Sequence, residues 1–188
     1  KGEYYPENEH TFSPSFCNRP DRNTSGIIIG AKNAAALRII NEKIRCREIK
    51  KIYLCIVEGH LKKSGHLTAY LTRSDKKVTV SDYNEENSKK IGTKYNVIAE
   101  KKDTSLVEVE LETGRTHQIR VHMASIMHPL LGDELYGPKP QKMFEKLQGQ
   151  TLHAKILGFQ HPVTNQYIEV ESPLPQYFVE LLKNLGNS

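Results

Sequence analysis

Two stretches of the 188-residue sequence are polar in ways that packing against a core does not require. The first is Asn18–Ser25 (NRPDRNTS), where Arg19, Asp21 and Arg22 crowd together just before an apolar run. Pro20 biases Arg19 toward extended geometry, so neighbouring side chains splay to opposite sides of the chain. The second is Gly114–His122 (GRTHQIRVH), which gathers Arg115, His117, Arg120 and His122 at a strand-to-helix junction. Helix N-termini and guanidinium groups both favour anions. Each stretch also has a plain structural reading: a capped turn with solvated charges, and a solvated basic first turn of a helix. Acid–base cleavage of RNA by His117 with Asp21 and Arg115 is one chemistry the set allows. A metal centre on His117, His122 and His128 is disfavoured, because a spacing of five places the first two about 140° apart on a helix. No cysteine or carboxylate pattern completes such a site, and no metal is expected.

The composition narrows the classes of function. There are 27 Lys and Arg against 22 Asp and Glu, a formal charge of +5 and a pI near 9.0. This balance leans toward a polyanionic partner. The length suits a single core, at roughly 150 residues per domain. With 37% hydrophobic and 26% charged residues, wholesale disorder is excluded. No apolar run approaches the ~20 residues of a membrane span, and no secretory apolar segment is present. Cys17, Cys46 and Cys55 form no paired motif and read as reduced thiols, so a cytoplasmic protein is expected. The chain begins at Lys1 without a methionine and reads as a processed or truncated piece.

The elements that must position these residues follow from periodicity. Residues 1–17 are polar and Pro-containing and predict a tail or loop. Ser25–Ala31 (SGIIIGA) is a short apolar run bounded by glycines, which predicts a strand buried on both faces. Asn33 is placed to cap a helix reaching about Arg45, with Leu37, Ile40 and Ile44 on one face. Lys50–Val57 reads as a buried strand, with Ile52, Leu54 and Ile56 facing one way and Tyr53, Cys55 and Val57 the other. Strands are also predicted over Gly65–Leu71, Lys76–Tyr83 and Thr93–Lys101. In Thr104–Glu112 an apolar face of Val107, Val109 and Leu111 alternates with an acidic one of Glu108, Glu110 and Glu112. The spacing of Ile119, Met123, Ile126 and Met127 predicts a helix over about Thr116–Met127. His128–Gly137 reads as a folded loop, Lys142–Leu147 as a short helix, Thr151–Phe159 and Gln166–Glu171 as a hairpin, and Gln176–Leu185 as a closing helix. The sum is an α+β domain.

Four ordered blocks carry a resemblance. Asn18–Lys32 resembles the His-Arg-Leu-Asp-x-x-Thr-Ser-Gly segment of the RluA family of RNA pseudouridine synthases. Lys51–Gly59 (KIYLCIVEG) is similar to that family's Lys-x-Tyr-x-Ala-x-Val-x-Gly strand. Leu111–Gly137 matches its Thr-Gly-Arg-Thr-His-Gln-Ile-Arg block and Gly-Asp-x-x-Tyr-Gly tail, and Leu152–Pro175 its C-terminal hairpin. The departures are Asn18 in place of His and Pro20 in place of Leu. The family's earlier Lys-Pro-x-Gly strand and any S4-type module have no counterpart in the chain.

The resemblance implies a twisted, mixed, mostly antiparallel sheet flanked by helices, with residues 18–188 as the catalytic domain. It implies that the chain isomerises uridine to pseudouridine in structured RNA, ribosomal or transfer, without cofactor; a monomer is the default expectation. Asp21 is then the catalytic carboxylate, Tyr53 the ring beside the target base, and Arg115 the ion-pair partner of Asp21. Arg19 matches the arginine that helps extrude the uridine. Arg22 and Arg120, with Lys32, Lys50 and Lys51 nearby in sequence, are candidates for phosphate contacts from their charge alone. The reaction breaks the bond from N1 to C1′, turns the freed base and rejoins it through C5, a task in which a carboxylate can act as nucleophile or as acid and base. The alternative is a noncatalytic RNA-binding module of the same family.

Overall fold

The computed structural model describes residues 12–74, 77–138, 147 and 149–184. Their centre is β4 (Lys50–Glu58), the strand predicted from its uninterrupted apolar run. It is flanked on one side by β8 (Thr104–Leu111) and on the other by β9 (Leu152–Gln160), both antiparallel to it. Beyond β8 lie β7 (Lys89–Lys101), β5 (Ser64–Arg73) and β6 (Val78–Ser81); beyond β9 lies β10 (Tyr167–Glu171). The order across the sheet is β10-β9-β4-β8-β7-β5-β6. Two short pieces precede α1 (Ala34–Arg45): β2 (Ser25–Gly26), which joins β9 in parallel, and β3 (Gly30–Ala31), which pairs with β1 (Ser15–Phe16). One parallel pair among antiparallel ones makes the sheet mixed, as expected for an α+β domain.

The alternation read from β4 sorts the core. Leu54 and Ile56 pack with Leu131, Phe178 and Leu181 beneath α3 (Gln176–Asn184). Cys55 and Val57 face the other way, with Val107 and Val109 of β8, and meet Ile119 and Met123 of α2 (Gln118–Ser125). The helix α1, capped by the Asn33 side chain accepting from Ala36 N–H at 2.8 Å, buries Ile40 against Ile29, Ile49 and Leu157. The apolar area these faces remove from water is the main stabilising term.

Three expectations are corrected. Ser25–Ala31 is not one strand, because Gly26 adopts φ +106° and divides it into β2 and β3, leaving Ile28 exposed. The helix over Thr116–Met127 is limited to Gln118–Ser125: His117 and Met127 both have positive φ, and Met127 points into solvent, 84% exposed. Nor is the basic start of that helix solvated, since Gln118, Arg120 and His122 are buried. The predicted helix at Lys142–Leu147 falls, apart from Leu147, outside the described residues, as do residues 1–11 of the tail. No described helix is long and apolar enough to cross a membrane.

Candidate active site

Asp21 sits in a turn whose ends are fastened to the sheet. Thr24 N–H closes the turn onto the Asp21 carbonyl at 3.0 Å. Downstream, β2 lies beside His153 and Ala154 of β9, an approach so close that a Cβ on Gly26 would run into the Ala154 backbone. Ser25 Oγ meets His153 Nδ1 at 2.9 Å. The buried Gln150 side chain donates to the Arg22 carbonyl at 2.6 Å and to Thr24 Oγ1 at 3.2 Å. Upstream, Asn18 Oδ1 accepts from Ile29 N–H at 2.9 Å, which gives this residue a structural task of its own.

The second polar stretch is brought to Asp21 by the turn between β8 and α2. His117 takes a left-handed conformation, φ 54°, one residue before the helix, and its N–H donates to Asp21 Oδ1 at 3.3 Å. Gln118 locks this turn to β7. Its Oε1 accepts from Thr113 Oγ1 at 2.7 Å and from Arg115 N–H at 3.1 Å, while its Nε2 donates to the Gly92 carbonyl and Thr93 Oγ1, both at 3.0 Å. A buried amide with every donor and acceptor engaged fixes geometry without leaving an unpaired polar group.

The cation that meets Asp21 is Arg120. Its Nη1 lies 3.9 Å from Asp21 Oδ2, while its Nε and Nη2 form a two-pronged contact with Asp133 at 2.7 and 2.8 Å. Asp133, in the loop after α2, also accepts from Leu135 and Tyr136 N–H, at 3.0 and 3.1 Å. The Tyr136 ring lies under the guanidinium, 5.2 Å from its centre. Burial alone would lower the Arg120 pKa, but the bonds and charge of Asp133, with Asp21 adding, raise it above the ordinary arginine value. Burial also lowers the His117 imidazole, with Asp21 opposing and Arg120 reinforcing. Its Nδ1 pairs with Tyr136 Oη at 2.9 Å, a hydroxyl that accepts in turn from Val78 N–H.

Two expected roles change. Among the described residues Asp21 has its ion pair with Arg120 and none with Arg115, whose exposed side chain lines the cleft. Arg120, expected to touch phosphate, is 7% exposed with its guanidinium engaged between two carboxylates. The exchange has a simple cause: Arg115 precedes the left-handed residue that redirects the chain, whereas Arg120 lies on the first turn of α2, inside the core. Asp133, Tyr136, Gln118 and Gln150 are members of the site that sequence reasoning missed. An arginine flanked by Ile119 and Val121, and an aspartate within the mostly apolar Leu130–Gly137, were the available signals.

A cleft of about 740 Å³ opens over Asp21. Around it stand Arg19, Pro20, Arg22, Lys51, Tyr53, Arg115 and His117, with Ile29, Ile44, Ile49, Leu111 and Leu157 as its apolar wall. Six of the seven residues expected in the site thus share one cavity, with Arg120 behind it. Tyr53 and Lys51 project from β4 on the same face, beside a register shift where β4 meets β9, a common device for aiming side chains next to a site. Burial first, and the charge of Asp21 second, push the Tyr53 phenol up to about 12, so it is neutral throughout the physiological range. His117, His122 and His128 turn to separate partners, Tyr136, Thr93 and the Glu58 carbonyl. Among the described residues no group of three or more such ligands is placed to hold a metal ion.

The sequence matches the model of the RNA pseudouridylate synthase family over residues 1–125. It is 40% identical over 173 residues to an RNA pseudouridine synthase of Bacillus subtilis and 39% identical over 181 residues to ribosomal large subunit pseudouridine synthase D of Zymomonas mobilis. Each alignment covers 92% of this chain and 56% of the relative. The chain belongs to the RNA pseudouridylate synthase family. Members of this family are RNA isomerases that convert uridine to pseudouridine. The pseudouridylate synthase fold is shared with two human proteins, RNA pseudouridylate synthase domain containing 4 and 1. Their TM-scores are 0.78 and 0.73 and their identities 22% and 25%, over 92% and 94% of this chain and 76% and 81% of theirs. The chain spans just over half the length of the curated pseudouridine synthases it matches.

Proposed function

We propose that this chain isomerises uridine to pseudouridine in structured RNA, ribosomal or transfer, with Asp21 as the reactive carboxylate and no metal or organic cofactor. On this reading residues 18–188 form the catalytic domain of a cytoplasmic, monomeric protein. The observation that carries it is a single carboxylate, Asp21, presented to a cleft with a fixed cation and a backbone N–H behind it and a tyrosine ring on the neighbouring strand. Oriented in this way, the carboxylate can attack the sugar or the base, or move a proton, without first reorganising. Tyr53 packs against the flipped uracil, a contact worth about 1–3 kcal/mol, and its neutral hydroxyl relays a proton without ionising. Flipping the base costs a few kcal/mol, and the exposed guanidinium of Arg19 offsets part of that by filling the gap left in the stack. Arg22 and Arg115, also exposed at the cleft, neutralise phosphates.

The test incubates the chain and its Asp21→Asn variant with unmodified total RNA and maps pseudouridine by a chemistry that blocks reverse transcription at that base. A stop made by wild type and not by the variant, with RNA binding retained, supports the reading and identifies the target. Equal binding with no stop from either protein leaves the noncatalytic module.

A further inference from the structure

Lys51 is set apart from the paired lysines of the sheet, and from Lys89, Lys90 and Lys101 of β7, which are exposed and, among the described residues, unpaired. Lys50, one residue earlier and on the opposite face, pairs with Glu169 at 3.0 Å; Lys94 pairs with Glu112, and Lys155 with Glu171. Among the described residues Lys51 has no hydrogen-bond or ion-pair partner, although it is half-buried and lines the cleft. It projects from β4, opposite Leu157 of β9, into a cleft whose wall also includes Ile49 and Leu111. Burial lowers its pKa, with no carboxylate acting against it. An unpaired cation in an apolar collar costs free energy unless a ligand supplies the missing charge.

The position suits a base better than a phosphate. Lys51 and Tyr53 are two residues apart on one face, so their Cα atoms are about 7 Å apart and bracket an object the size of a nucleobase ring. The ammonium lies close to Gly114, where a Cβ would stand 3.0 Å from Lys51 Nζ. Glycine keeps that space open. The exposed guanidinium groups of Arg19, Arg22 and Arg115 already serve the rim, where phosphates pass.

We propose that Lys51 is a catalytic residue whose ammonium donates a hydrogen bond to a carbonyl oxygen of the flipped uracil and stabilises the ring while it is detached from the sugar. The inference rests on the pseudouridine synthase reading of the cleft. When the bond from N1 to C1′ breaks, its electron pair stays on the ring, and the resulting negative charge spreads from N1 to O2 and O4. Lys51 stabilises that charge, which is absent from bound uridine, so the interaction strengthens as the bond breaks. After C5 joins C1′, the proton on C5 departs and N1 regains one. Nothing is oxidised or reduced, and Lys51 leaves with the protons it brought.

The experiment compares wild type, Lys51→Met and Lys51→Arg in single-turnover pseudouridine formation on a transcript that wild type modifies, and in RNA binding across a salt series. The expected result for Lys51→Met is a rate about 10²–10³-fold lower, with affinity and salt slope unchanged. Lys51→Arg restores part of the rate and moves the alkaline limb of the pH–rate profile upward, because arginine keeps its proton where a desolvated lysine loses it. A Lys51→Met protein as fast as wild type, binding RNA more weakly with a salt slope shallower by about one, is a phosphate contact and overturns the inference. If Lys51→Met does not fold, coincident alkaline limbs for wild type and Lys51→Arg overturn it equally. A wild type that makes no product on any RNA removes the proposed function and this inference with it; product from wild type and Lys51→Met alike removes the inference alone.

Discussion

Replacing Asp133 by asparagine tests whether the Asp21 carboxylate is held by a relay through Arg120. Asp133 has a fully buried side chain and does not pair with Asp21 itself. Its Oδ1 accepts three bonds, from Arg120 Nη2, Leu135 N and Tyr136 N, and its Oδ2 one, from Arg120 Nε. An asparagine keeps its single oxygen where three donors converge, which turns its NH2 toward Arg120 Nε. One charge-assisted bond becomes a contact between two donors, and the guanidinium loses half of its counter-charge. Loss of a hydrogen bond to a charged group costs about 1.5–3 kcal/mol, and the buried mismatch places the total near ~3 kcal/mol. For a domain of this size that is a fall in Tm of roughly 6–12 °C, read by thermal unfolding. Arg120 then keeps one bond to the asparagine oxygen and has Asp21 as its remaining counter-charge, and a displacement of ~1 Å in the reactive carboxylate slows turnover by about 10²-fold. Single-turnover kinetics read this, with RNA affinity unchanged. A variant with wild-type rate and a Tm within about 2 °C of wild type, a loss far below the ~3 kcal/mol expected, refutes the relay.

Burial holds the His122 imidazole down to about 4, against 6.5 for an unperturbed histidine. The unfolded chain therefore takes up a proton that the folded one resists, and stability falls by ~3 kcal/mol as pH drops from about 6.5 to about 4. Urea titrations across that window show a flatter curve for His122→Gln. Gly26→Ala forces a side chain into the Ala154 backbone at φ +106° and unfastens the turn that carries Asp21. It lowers stability by more than ~1 kcal/mol, read by denaturant titration, and the rate falls further than the stability alone dictates. Raising salt weakens RNA binding steeply, because phosphates supply much of the affinity; a flat response in a filter-binding series contradicts the basic rim.

Most of the scaffold was readable from periodicity because its faces are strongly asymmetric. The alternation in β4 and β8 sorted their side chains into two faces, and the structure sets α2 on one and α3 on the other; Asn33 marked the start of α1 to the residue. The two polar stretches were recognisable as chemistry, and they do meet in one cleft. What periodicity does not encode is the hand of a single backbone residue. The left-handed turn at His117 decides which arginine faces inward, and the apolar spacing that marked α2 does not show that its polar residues Gln118, Arg120 and His122 are buried as well. Gly26 misled in the same way, since an apolar run reads as a strand until one φ breaks it. Asp133 was hidden for another reason: it comes from a loop, and its partner lies 13 residues earlier.

The carboxylate and the groups that orient it come from distant parts of the chain. The backbone bond from His117 to Asp21 spans 96 residues, and the clamp from Gln150 to Arg22 spans 128. Neither local helix formation nor hairpin closure can assemble this centre; it exists only once the sheet has closed around β4, late in folding, after the largest loop entropies have been met. On the proposed function, turnover is consequently a readout of complete folding. A chain nicked or destabilised at the β2–β9 contact loses activity before it loses helix or sheet content, so the catalytic rate is a more sensitive gauge of the native state than its circular dichroism.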